Sequence, residues 1–167
     1  MILAFDTYYF DNKAKTVCVE FENWADKEYK VYSEIIENVA EYIPGEFYKR
    51  ELPCIISLYN KLETNDTKVI IVDGFVYLDD SCKPGLGAHL YNELQGKIPV
   101  IGVAKTNFAT IENLKYKVFR GESKNPLYIT SVGIELNEAA GYIQQMHGEY
   151  RIPTLLKSLD QYTKSDK

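Results

Sequence analysis

The chain has little that would staple it, thread it through a bilayer or address it elsewhere. Its three cysteines, Cys18, Cys54 and Cys82, share no CxxC spacing and leave one over in any pairing, so neither a disulfide frame nor a zinc site is indicated. No apolar run reaches the length of a membrane-spanning helix, and the opening MILAFDTYYF lacks a basic region and a cleavage site. A cytoplasmic chain without a membrane partner is the expectation. The GxSxG elbow, the GxxxxGK(S/T) phosphate loop and the HExxH helix are all missing, which removes three common catalytic designs. With only two histidines, His89 and His147, a catalytic imidazole has few places to come from, and His89 on a helix reads first as a packed or rim residue. There is no internal repeat, linker or low-complexity segment. A length of 167 residues with 46% hydrophobic and 26% charged predicts one domain spanning 1–167.

A basic total is missing too. The formal charge is −5, which does not by itself favour a nucleic-acid partner. The distribution is uneven, however: Lys97, Lys105, Lys115, Lys117, Arg120 and Lys124 face only Glu112 and Glu122 in the same stretch. Phosphate contacts need a local basic surface, while a site for a divalent ion must itself be acidic. A solvated hairpin edge guarded by lysines is the alternative reading of that stretch. Fourteen tyrosines are many for this length; amphipathic rim positions account for most, and stacking on a base or another flat ligand is open to a few.

What is present centres on KVIIVDGFVYL, from Lys68 to Leu78. Four apolar residues, mostly β-branched, run into Asp73 and Gly74, the pattern of a buried strand that ends in an acid at a sheet edge. Open α/β sheets carry their chemistry at the carboxyl ends of strands. An Asx-turn cap is the competing role for Asp73. Ile2–Phe10 predicts a first strand with Asp6 inside it, costly to bury unless a cation meets it. TVCVEF (Thr16–Phe21) predicts a second strand after the turn DNKAK, and EYKVY (Glu28–Tyr32) a third. The segment Ser33–Glu41 is mixed and leads to Tyr42-Ile43-Pro44-Gly45, a turn that projects from the surface. Pro53 predicts the first turn of a helix to about Leu62, with Glu51 at its entrance as cap or ligand. Beyond these come a helix over Leu86–Leu94, a buried strand over Pro99–Ala104 ending in Lys105, a strand pair over Lys115–Arg120 and Leu127–Ser131, and helices over Asn137–Met146 and Thr154–Tyr162.

Acids from separate elements, Asp6, Glu51 and Asp73, would make a hard-oxygen site for Mg²⁺ or Mn²⁺ if they meet at one edge. Such a site binds phosphate and activates water for in-line attack, with a lysine such as Lys105 neutralising the developing charge.

The motifs FDTYY, YIPGEFYKRELP, VIIVDG, GLGAHL, PVIGVAK, NPLYITSVG and GEYRIPTLL, in this order, resemble the endonuclease V family along nearly the whole chain. The resemblance implies a ribonuclease H-like α/β fold, with a central mixed sheet and helices on both sides. It implies a metal-dependent endonuclease that cuts a phosphodiester near deoxyinosine in DNA or inosine in RNA, in nucleic-acid repair. Asp6, Glu51 and Asp73 map onto its metal ligands and Lys105 onto its catalytic lysine. Tyr42, Ile43 and Pro44 map onto a wedge that parts the strand, and Gly45, Phe47 and Gly74 onto the pocket for a flipped base. Three departures stand out: the first strand opens the chain without a preceding helix, DGFVYLDDSCKPG lacks the histidine of the family loop, and TSVGIEL lacks the late histidine beside the metal. Glu135 is the candidate to replace that last histidine. A nucleic-acid-binding homologue that recognises deaminated or distorted sites but cleaves weakly is the alternative reading.

Overall fold

The computed structural model describes all residues except 40, 42, 45, 47, 64, 65, 109, 166 and 167. Its frame is a seven-stranded sheet in the order β3-β2-β1-β4-β5-β7-β6. The strands are β1 (Ile2–Phe10), β2 (Lys13–Phe21), β3 (Lys30–Glu37), β4 (Val69–Asp73), β5 (Val100–Ala104), β6 (Tyr116–Val118) and β7 (Leu127–Val132). β1, β4 and β5 run parallel and every other pairing is antiparallel, so the sheet is mixed as expected. The helices are α1 (Tyr48–Lys61), α2 (Leu86–Glu93), α3 (Leu136–Gln145) and α4 (Thr154–Lys164).

Strand alternation sorts the core into two layers. Ile2, Ala4, Val69, Ile71, Ile101 and Val103 point to the face covered by α3 and α4. Leu3, Phe5, Ile70, Val72 and Val100 point to the other, under α1 and α2. Full burial of each such side chain contributes roughly 1.5–3 kcal/mol. The three central parallel strands are apolar on both faces, which is why they read as continuous runs.

Most boundaries shift by a residue or two from the sequence expectation, and three of the shifts have a clear physical reason. β2 begins at Lys13, because the turn is only Asp11-Asn12, both at positive φ (45° and 64°), the twist of a tight hairpin. β3 runs over Lys30–Glu37 instead of 28–32; it is an edge strand with alternating exposure, so its second half looks mixed. α1 starts at Tyr48, five residues before Pro53, so Glu51 sits in the first turn and Pro53 lies inside the helix.

One close approach shapes the exit of β4. Gly74 has φ 122° and donates its N–H to Val103 O at 3.0 Å, turning the chain across β5. A Cβ on Gly102 would stand 2.5 Å from Gly74 O, so the glycine in PVIGVA is what lets the chain cross there.

Candidate active site at the carboxyl edge of the sheet

β1 and β4 are in register through Phe5↔Val72, so Asp6 and Asp73 follow at the next step on adjacent strands. Asp73 itself pairs with Val103, and Lys105 lies two residues on, directed to the same face. Asp6, Asp73 and Lys105 line one cleft, whose apolar wall is Ile152, Pro153, Leu156 and Leu159 at the start of α4. Glu51 reaches the same edge from α1, on the other side of the sheet. The structure therefore brings Asp6, Asp73 and Lys105 of FDTYY, VIIVDG and GVAK into one cleft, with Glu51 of KRELP near enough to feel both aspartates.

Asp6 is 9% exposed and receives one hydrogen bond, from Thr7 N at 2.9 Å. Burial, followed by repulsion from Asp73, pushes its carboxyl up to about 7. Burial, then Asp6 and Asp73, push Glu51 up to about 8, against the pull of Arg50. Asp73 is raised as well, its partial desolvation outweighing the opposing charge of Lys105. The Arg50 guanidinium is stacked 3.5 Å over the Tyr9 ring, which anchors the turn that carries Glu51.

A fifth residue belongs to this group and the sequence reading passed over it. Asp160, on α4, adds to the repulsion felt by both Asp6 and Asp73, and its carboxylate receives Lys164 Nζ at 3.2 Å. The available signal was its position three residues after Lys157 and nine after Arg151, in the segment that follows GEYRIP. On an amphipathic helix it passes for a solvated charge.

Glu135, the expected replacement for the missing histidine, is elsewhere. β7 runs antiparallel to β5, with Tyr128 beside Ala104 and Val132 beside Val100, so the residues after Val132 emerge at the opposite edge of the sheet. There Glu135 caps α3 and shares a groove with Tyr77, Ser131 and Glu138. The reversal of β7 is what sends it away, and its role as a ligand at this site is corrected accordingly. His147 is also distant in role, with Nδ1 3.0 Å from Thr154 Oγ1.

Of the expected wedge and base pocket, Tyr42, Gly45 and Phe47 lie outside the described residues. Ile43 and Pro44 are exposed and border a groove with Tyr48, Lys83 and His89. His89 is stacked on Tyr48, ring centroids 3.7 Å apart, and burial holds its imidazole below the ordinary value. Gly74 is at the turn described above, next to Asp73.

The loops leaving β4 and β5 are joined. Asp80 Oδ1 accepts the backbone N–H of Glu112, Asn113 and Leu114 at 3.0, 2.9 and 3.2 Å, and Thr110 Oγ1 donates to Leu78 O at 2.5 Å. Slight desolvation would raise the Asp80 carboxyl, but the three donors hold it below its ordinary value. The basic stretch divides. Lys115 bonds Asn107 Oδ1 at 2.5 Å and lies 5.5 Å from the Tyr128 ring centroid. Arg120 is buried and donates to the carbonyls of Met146, Gly148, Tyr150 and Arg151, so it is a brace and not a phosphate contact.

The donor set suits a hard divalent cation. Its carboxylates are all oxygen ligands, and their mutual repulsion is relieved by positive charge. Among the described residues, no three acid, histidine or cysteine side chains stand close enough together to cage an ion. Asp6 and Asp73 face one cleft, where Lys105 offsets only part of the burial and repulsion that raise them. No helix among the described residues is long and apolar enough to cross a membrane.

Comparison with known proteins agrees with this architecture. The chain covers 98% of its length in superposition on an endonuclease V from Ciona intestinalis, solved with a 24mer DNA containing an inosine followed by a ribo-adenosine, at TM-score 0.82 and 16% identity over 84% of that chain. Human endonuclease V matches with TM-score 0.74 and 21% identity, over 98% of this chain and 82% of that one. The Streptomyces avermitilis endonuclease V gives TM-score 0.74 and 20% identity, over 98% and 79%. These likenesses establish the ribonuclease H-like fold. No curated protein matches. The endonuclease V family model, in contrast, matches residues 1–161, from the first strand through the last helix turn but one. With its sheet, its acidic edge and nearly its whole length accounted for in this way, the chain belongs to the endonuclease V family of nucleases.

Proposed function

We propose that this protein hydrolyses a phosphodiester near a deaminated base, deoxyinosine in DNA or inosine in RNA, as part of nucleic-acid repair. The observation that carries the reading is that Asp6 and Asp73 line one cleft with Lys105 at the carboxyl edge of the sheet, with Glu51 near enough to feel the charge of both aspartates. Nucleic acid is the partner by the same reasoning, and the Ciona intestinalis relative was solved on inosine-containing DNA.

Asp6, Glu51 and Asp73 are the residues that would hold Mg²⁺ or Mn²⁺, with Asp160 as the fourth carboxylate in place of Glu135. Such an ion supplies charge for the phosphate oxygens and a lowered pKa for water. The chain's own groups do the rest. Lys105 is exposed at the mouth of the cleft and places its ammonium against the charge that builds on the phosphate. The apolar wall of Ile152, Pro153 and Leu156 excludes bulk water from one side, which strengthens the electrostatic terms inside. A cation bound there would favour the ionised form of the acids whose carboxyls burial raises. Tyr42, Ile43 and Pro44 are assigned as the wedge, with Gly45, Phe47 and Gly74 along the pocket of the displaced base; unstacking is least costly at a mispaired base.

A second reading, a binding protein that cleaves weakly, is favoured by the open spacing of the acids and by the absent family histidines. One assay separates the two: cleavage of matched oligonucleotides with a single deoxyinosine or inosine, in Mg²⁺ or Mn²⁺, with Asp73→Ala as control. Cleavage near the lesion that disappears in the variant supports the nuclease. Retained binding without cleavage returns the chain to a recognition module.

A further inference from the structure

β3 is the outer strand of the sheet, and among the described residues nothing pairs with its free side. An eight-residue edge of this kind is a template for another strand, and proteins usually blunt it with charges, bulges or a covering element. Here the outward-facing apolar residues are left in place. Val31 is 36% and Ile35 46% exposed, both on the face that carries α4, while α4 packs on β1 and β2. Ser33 lies midway between them.

That spacing makes the strand complementary to itself. Two antiparallel copies related by a two-fold axis through the sheet keep their faces aligned, so directly opposite residues must share parity. With the axis at Ser33, Val31 stands opposite Ile35 of the second copy and Ile35 opposite its Val31. Two β-branched pairs are then buried on one face, flanking two small serines at the centre. On the other face Lys30 becomes the diagonal neighbour of Glu34 in the second copy. Glu34 is held inward by Lys61, so this pairing adds only a long-range attraction between opposite charges and the apolar face carries the contact. No neighbouring register does this. Moving the axis to Glu34 sets Val31 against Glu37 and Ile35 against Ser33.

We propose that β3 is a homodimer interface, in which two copies of this chain pair antiparallel about Ser33 to form one continuous fourteen-stranded sheet. β1 and β3 both run toward the edge that carries Asp6, so the antiparallel pairing turns the two catalytic edges in opposite directions. Each copy then keeps its cleft open to its own substrate.

The test combines sedimentation velocity with directed cross-linking. Wild-type protein is expected to form dimers as concentration rises through the micromolar range. Val31→Lys with Ile35→Lys should weaken the dimer roughly tenfold or more and leave the circular dichroism spectrum and the cleavage activity in place. For register, Cys82→Ser removes the exposed thiol, and Ser33→Cys or Glu37→Cys is added to that background. Opposed residues at the axis have Cα atoms about 5 Å apart, within disulfide range. Position 37 and its copy are separated by about 27 Å along the strands. Under air oxidation with a copper catalyst, the Ser33→Cys protein should cross-link and the Glu37→Cys protein should not. A monomer at every concentration overturns the proposal. So does a dimer indifferent to the two lysines, or one that cross-links equally at 33 and 37.

Discussion

Arg151 donates from Nη2 to the main-chain carbonyl of Lys105, and from the same nitrogen to Pro126 O at 2.8 Å. The residue that leads into α4 thus fixes the end of β5, where the site lysine projects. Arg151→Ala leaves the part-buried Pro126 carbonyl and the exposed Lys105 carbonyl without this donor. Expected is a loss of about 1–3 kcal/mol in stability, read from urea midpoints, and a fall in kcat larger than the rise in KM. Arg151→Lys should recover part of the stability and less of kcat, since one ammonium cannot copy the guanidinium geometry.

Asp160 and Glu135 make opposite predictions in one assay. Asp160 faces Asp6 and Asp73, whereas Glu135 emerges at the far edge. Asp160→Asn should lower metal-dependent cleavage roughly a hundredfold, and Glu135→Gln should leave it unchanged. The reverse result would restore the histidine-replacement idea.

Asp6 and Glu51 dictate how stability follows pH. Their carboxyls are raised to about 7 and about 8 when folded, above ordinary values of 3.8 and 4.5. Between about pH 4 and pH 8 the unfolded chain has released protons that the folded chain keeps. Stability from these groups is therefore greatest at the acid end and declines as pH rises, by up to about 1.4 kcal/mol per pH unit for each group. Thermal unfolding at pH 5 and pH 8 checks the sign, and Asp6→Asn should flatten the slope. Millimolar Mg²⁺ should raise the melting temperature at pH 8 more than at pH 5, because protons compete for the same oxygens.

Gly102→Ala tests the crossing beyond Asp73. The added Cβ would meet Gly74 O at 2.5 Å and Thr130 Oγ1 at 2.7 Å. Thr130 Oγ1 also accepts Val76 N at 2.8 Å, so neither neighbour can retreat without breaking a contact. The variant should lose about 1–3 kcal/mol and most of its activity, measured by differential scanning calorimetry and the oligonucleotide assay. Full activity would mean that the turn after Asp73 is not held against β5.

The parallel centre of the sheet was legible because β1, β4 and β5 are buried on both faces and write unbroken apolar runs ending near Asp6, Asp73 and Lys105. β3 was cut short because one of its faces meets solvent, so Ser33, Glu34 and Glu37 interrupt the pattern. Arg120 read as surface charge, since nothing local announces that four distant carbonyls will surround it. Glu135 was misplaced for a related reason: a strand's direction within the sheet, which decides the edge its loop reaches, is a tertiary property. Asp160 was hidden by the periodicity of α4, where a carboxylate looks the same whether it faces water or a cleft.

The Asp80 carboxylate ties the exit of β5 to the exit of β4 through three backbone donors. Neither loop can lift alone without breaking those three hydrogen bonds, so the segments that follow Asp73 and Lys105 in the chain are held as one piece instead of two independent loops.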